Sequence, residues 1–216
     1  MTSPIAGKRL RFTPLALTTV LLSAGLLSMS VTGTLSGFAA SITNSVNSAS
    51  TGSLTMQETG PGSTGATVTC NSTDGGSVAT NTATCATINK FGGSQSMVPG
   101  QTVTTTVVLK NTGTVRATAF SLTPGTTCTQ TGSVSGSAND LCGKLNLTIT
   151  QNGASSPALF SGTLASFAAS TAPYALTPLA SGASSTYVFT VTLDSSATTA
   201  YQGLTASMPM TWTFTS

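Results

Sequence analysis

The amino-acid sequence predicts an all-β protein, a two-sheet β-sandwich preceded by an N-terminal signal helix, and three observations carry that expectation. From Ser53 onward apolar and polar residues alternate with period two, as in strands that bury one face. Clusters rich in Gly, Pro and Asn punctuate the alternating runs and supply turn geometry. No long amphipathic helix follows the N-terminal apolar run, although Ala158 to Ala169 would allow a short helical turn.

The elements follow in chain order. Lys8, Arg9 and Arg11 precede an apolar run from Pro14 to Val31, and small residues lead on to Ala40; this is the layout of a secretory signal peptide. Cleavage after Ala39 makes residues 1–39 the signal, 40–53 a mature N-terminal segment and possible donor strand, and 54–216 the sandwich domain. A retained membrane anchor is the competing reading, and the Ser, Thr and Gly content of the run weighs against it. Short strands are expected at Leu54 to Glu58, Val68 to Cys70 and Thr84 to Ile88. Longer ones are expected around Val103 to Leu109, Thr118 to Leu122, Leu145 to Ile149, Tyr187 to Leu193 and Leu204 to Phe214. Pro209 lies on the outward parity of the last strand and removes an N–H, so that strand is expected to bulge or to run at a sheet edge. Seven to nine half-buried strands close most simply as two facing sheets.

Composition limits the chemistry. Charged residues make up 5% of the 216 residues, against about 25% in an ordinary globular chain. Histidine is absent and the acids are Glu58, Asp74, Asp140 and Asp194, so every histidine-based hydrolase mechanism is excluded. The four carboxylates show no clustering and read as surface groups, with no catalytic pair, metal site or cofactor. Beyond the N-terminal cations, Lys90, Lys110, Arg116 and Lys144 balance those acids. A neutral body offers no cationic patch to draw in nucleic acid, and it lacks the net repulsion that holds copies apart.

Cys70, Cys85, Cys128 and Cys142 are an even number in a chain with an export signal, which predicts disulfides. Three pairings are possible. The pairs Cys70–Cys85 and Cys128–Cys142 are favoured because each brackets a Gly, Ser and Thr-rich stretch with too few apolar residues to hold itself down. A four-thiolate zinc site lacks the expected C-x2-C spacing.

Four stretches carry a resemblance to a known family. Gly33-Thr34-Leu35-Ser36-Gly37-Phe38-Ala39-Ala40 closes the signal, and Ser50-Thr51-Gly52-Ser53-Leu54-Thr55-Met56 follows it. Met97-Val98-Pro99-Gly100-Gln101-Thr102-Val103 stands before Lys110-Asn111-Thr112-Gly113. Pro178 to Gly182 leads into Tyr187 to Asp194, and Tyr201-Gln202-Gly203 precedes the last strand. In this order they resemble the exported proteins handled by the SipW type of signal peptidase, the TasA and camelysin family. The resemblance implies a jelly-roll sandwich, processing by signal peptidase, a secreted or cell-surface location and, for some members, assembly into biofilm-matrix fibres. It also brings a metalloendopeptidase label, which a chain with no histidine and four scattered acids does not support. This chain departs from the family in its scarcity of charge and its cysteines.

Asn111, Gly113, Tyr201, Gln202 and Gly203 read as structural, the Asn and Gly as acceptors of positive φ in tight turns and the Tyr as core. The leading functional expectation is a non-enzymatic structural subunit whose partner is itself or a related surface protein. Strand addition would join them, with Ile42, Val46 and Leu54 of the N-terminal segment setting register. A monomeric surface module that binds carbohydrate or host protein through the cysteine-bracketed loops is the alternative; no small-molecule substrate is expected.

Overall fold

A computed structural model describes residues 42, 48–75, 81–93, 96–132, 138–152 and 157–216. The signal segment and Val46 lie outside the described residues. The chain divides into two units, Met1–Ser50 and Thr51–Ser216. Of the first, only Ile42 and residues 48–50 are described, all exposed and without regular structure.

In the second unit, six strands form one antiparallel sheet in the order β2-β1-β3-β9-β6-β7. These are β1 (Met56–Pro61), β2 (Thr67–Asn71), β3 (Thr102–Asn111), β6 (Leu145–Gln151), β7 (Phe160–Thr163) and β9 (Ser184–Leu193). A three-stranded sheet has the order β11-β4-β8, from β4 (Ala119–Pro124), β8 (Tyr174–Leu176) and β11 (Met210–Thr215). The pair β10-β5 joins Thr205–Ser207 to Thr129–Thr131. Two short helices, α1 (Leu141–Lys144) and α2 (Leu164–Ala168), and a 3-10 turn at Thr199–Tyr201 complete the described elements.

The alternation in sequence becomes the two faces of the large sheet. Val107, Leu109, Leu147, Ile149, Tyr187 and Phe189 are fully buried on its inner face, each worth about 1.5–3 kcal/mol of transfer free energy. The outer face carries Thr in register: Thr102 opposes Thr192, and Thr190 lies between Thr104 and Thr148. The Thr102 and Thr192 hydroxyls bond at 2.8 Å. Such cross-strand pairs fit the pleat and hydrate the surface without charge.

Aromatic side chains bring the three-stranded sheet onto this inner face. Trp212 of β11 packs on Tyr187 with ring centroids 4.9 Å apart, and Phe120 of β4 meets Tyr187 edge-on at 6.0 Å. Where β6 and β7 end the large sheet, Phe167 of α2 fits between Phe160 and Tyr174 at 4.6 and 5.5 Å. The side chain of Thr163 starts α2 by accepting from Ser166 N–H at 3.1 Å, an N-cap that satisfies an otherwise orphaned donor.

The last expected strand is broken at Met208–Pro209 into β10 and β11. Its ladder with β4 and β5 resumes only after residues 125–128, and Gly125 N–H reaches the Pro209 carbonyl at 2.8 Å. β11 is an edge strand among the described strands, the edge position anticipated from Pro209, and the strand is interrupted there, which goes beyond the bulge expected as the alternative. The short strand expected from Thr84 to Ile88 is absent. Side chains, with no strand ladder, hold that stretch: Cys85 is bonded to Cys70 of β2, and Ile88 sits over Gly60 and Val107. It lies against the inner face of the sheet and joins no ladder among the described residues.

Candidate functional site

The three-stranded sheet stops at β11, and β1 and β2 continue beyond it. Over their inner face runs an irregular strap, Asn81–Gly93, and a cavity of about 780 Å³ lies among strap, β1 and residues 206–214. Residues of both parities of β11 line it, Met210, Trp212 and Phe214 together with Thr211 and Thr213. A strand lines a cavity with both parities when it presents its edge, and β11 pairs with β4 alone among the described strands.

Glu58 forms part of the cavity wall. It shares the inward parity of β1 with Gly60 and is 7% exposed, which corrects the expectation of a surface carboxylate. A buried carboxylate is costly unless paired. Lys90 of the strap supplies the pair at 2.6 Å, and Trp212 Nε1–H donates to the same carboxylate oxygen at 3.3 Å. One carboxylate thus ties β1, the strap and β11 together. Among the described residues no group of three or more Cys, Asp or Glu converges as metal ligands.

The strap is fixed at its other end as well. Cys70 and Cys85 form a disulfide with Cα atoms 5.8 Å apart. Asn81 accepts from the Ser72 hydroxyl at 2.6 Å and donates its amide to the Leu54 carbonyl. Cys128–Cys142 is the second disulfide, with Cα atoms 6.2 Å apart. Both pairings are those the loop composition favoured. Two disulfides suit an oxidising compartment, and no helix among the described residues is long and apolar enough to cross a membrane.

The residues singled out for strand exchange fall in different settings. Ile42 is 94% exposed. Leu54 is half-buried in the cavity wall. Its neighbours are already engaged, with Thr112 N–H bonded to the Thr55 carbonyl at 3.0 Å and Thr114 N–H to that of Ser53 at 2.8 Å.

None of the five turn residues lines the cavity, and Asn111 and Gly113 differ from the turn conformation expected of them. Asn111 is fully buried at the end of β3, where its amide donates to the carbonyls of Val115 and Leu179 at 2.9 and 3.1 Å. Its side-chain oxygen accepts from Gly113 N–H at 3.0 Å. Neither Asn111 nor Gly113 has positive φ. Gly113 is required by close approach instead, since a Cβ there would lie 2.7 Å from Thr55 N and 2.8 Å from Leu54 Cα. Gly203 does adopt positive φ, at 75°, leaving the 3-10 turn that carries Tyr201. Gln202 is exposed. The Tyr201 hydroxyl donates to Asp140 at 2.7 Å, and this bond to a carboxylate raises the phenol above its ordinary pKa.

Sequence reasoning missed Glu58, Lys90 and Trp212 as a unit. The parity of Glu58 and Trp212 marks both as inward, but nothing in the local pattern of Lys90 points to its partner.

No protein-family model matches this chain, and no curated protein matches it.

Proposed function

We propose that this protein is a secreted structural subunit that joins copies of itself, or a related surface protein, by strand addition at the free edge of β11. The body is read as a two-sheet jelly-roll-like sandwich in which no described strand occupies the position beyond β11. The observation that carries this reading is the meeting of a strand edge, unpaired among the described strands, with a cavity whose mixed polar and apolar wall includes Leu54, Met210, Trp212 and Phe214. An incoming strand would gain main-chain hydrogen bonds along β11 and bury alternate side chains in the cavity.

Two features support the reading. The outward residues of β11 are Thr211, Thr213 and Thr215, and the strand itself carries none of the Lys or Glu gatekeepers that normally discourage strand pairing; the nearby Lys90 and Glu58 are engaged with each other. The resemblance to exported matrix proteins points the same way. The donor is the N-terminal segment of a second copy, from Ala40 to Gly52, because Ser53 and Thr55 are bonded within their own body. In that segment Ile42 and Val46 share a face in extended conformation. The subunit acts by assembly and makes no covalent bonds.

Electron microscopy and light scattering of the processed protein, over a concentration series, test this. Filaments are expected from the full processed chain and not from one lacking residues 40–50; filaments unchanged by the deletion would overturn the proposal.

A further inference from the structure

We infer that the strap Asn81–Gly93 is the gate of the β11 edge: it fills part of the incoming strand's place, and two side-chain clamps hold it shut. This inference rests on the strand-addition reading. The strap covers the inner face of β1 and β2 without belonging to any sheet. A strand in the same place would form a full ladder with β11, so strap and strand compete for one site.

The clamps stand at separate points on the strap. Cys85 is tied covalently to Cys70, which lies opposite Glu58 in the β1–β2 ladder. Lys90 closes on Glu58 itself, with side-chain exposures of 10% and 9%. Between the clamps Ile88 is the strap's buried apolar anchor, 6% exposed. Lifting the strap strips Glu58 of its cation and leaves Trp212 as its partner, so the ion pair acts as a latch that opens rarely. Reduction of the disulfide releases the other clamp: a dithiol gives two electrons and two protons, Cys70 and Cys85 become thiols, and the reductant closes to its own disulfide.

The gate lowers the apparent affinity for a donor strand by the fraction of time the strap is open. With an open state populated at about 1–10%, removing a clamp should tighten donor binding about tenfold or more. Two variants of the full processed chain separate the clamps. Cys70→Ser/Cys85→Ser removes the disulfide and leaves Cys128–Cys142 intact, and Lys90→Met removes the latch. The probe is a fluorescently labelled peptide of residues 40–52, titrated by anisotropy. Acrylamide quenching of Trp212, the single tryptophan of the chain, reports strap opening without peptide.

Both variants are expected to show stronger quenching and at least about tenfold tighter peptide binding than the parent. Should the cysteine variant fail to fold, Lys90→Met carries the test. Stronger quenching with unchanged or weaker peptide binding would overturn the gate while leaving strand addition standing. Failure of the peptide to bind any of the chains, parent included, would overturn strand addition and the gate together.

Discussion

The two ends of the large sheet are covered in different ways. Over β6 and β7 lie α2 and β8, and the cover is aromatic and closed, with Phe167 and Leu164 fully buried. Over β1 and β2 lies the strap, held by a disulfide, an ion pair, the hydrogen bonds of Asn81 and one buried isoleucine, beside a cavity of about 780 Å³. Both covers shield the same kind of surface, an apolar sheet face. The first does so by dense packing, which cannot be displaced without exposing large rings. The second does so by point attachments, each of which can be undone separately. Under the strand-addition proposal, the β1–β2 end is where one cover would give way to another.

The largest expected effect sharpens that contrast at the closed end. Phe167→Ala removes a ring packed against Phe160 and Tyr174 and should cost about 3–5 kcal/mol in chemical denaturation. Ile88→Ala at the strap end should cost less than Phe167→Ala, because an irregular segment beside a cavity can settle into the space left. A loss at Ile88 as large as that at Phe167 would break the comparison.

Next in size is the latch. Lys90→Ala leaves the Glu58 carboxylate buried with Trp212 alone, and should cost about 3 kcal/mol. The double replacement Glu58→Leu/Lys90→Met removes both charges and should recover most of that loss, since apolar substitutes for a buried pair are often neutral or better. Chemical denaturation of the three chains makes the test, and a double variant as unstable as Lys90→Ala would show that the pair contributes through geometry more than through charge.

What the sequence discloses and what it hides follow from the range of the forces involved. Inward faces were legible at β3, β6, β9 and β11 because strand parity is local, and the edge position at Pro209 was legible because a missing N–H is local too, whereas the full break there was not. The cysteine pairs could be read from the poverty of the loops they close. β5 and β8, three residues each, and β7, four residues, give too short an alternation to stand out. Only their partners make them strands. Asn111 and Gly113 lack the positive φ expected of them, because Asn111 is held by the carbonyls of Val115 and Leu179 and Gly113 by close approach to residues 53–55, contacts distant in sequence or outside a turn of their own. The triad of Glu58, Lys90 and Trp212 was hidden for the same cause. Trp212 stands 154 residues from Glu58, and Lys90 reaches it from a segment with no repeating pattern.

The smallest expected effect lies between the two ends, at Tyr187. Its ring is packed by Phe120 and Trp212, and its hydroxyl is buried without a hydrogen-bond partner among the described residues. The nearby Ser185 hydroxyl donates to Asn152 at 3.2 Å and accepts from Gln151 at 2.9 Å. Tyr187→Phe should therefore be neutral or stabilising by about 1 kcal/mol, because it deletes an unsatisfied polar group and keeps the packing. Burial is the dominant cause that pushes the Tyr187 phenol above its ordinary pKa. Above the unfolded phenol pKa of about 10, the folded chain keeps a proton that the unfolded chain has lost. The stability this contributes is complete below that pH and declines as pH rises through the folded value. Tyr201, raised chiefly by its bond to Asp140, acts in the same direction. Thermal melts across the alkaline range should show Tyr187→Phe losing less stability than the parent. An equal loss in both would mean that the central hydroxyl is solvated, and that the boundary between the aromatic-covered and strap-covered ends is wetter than its packing indicates.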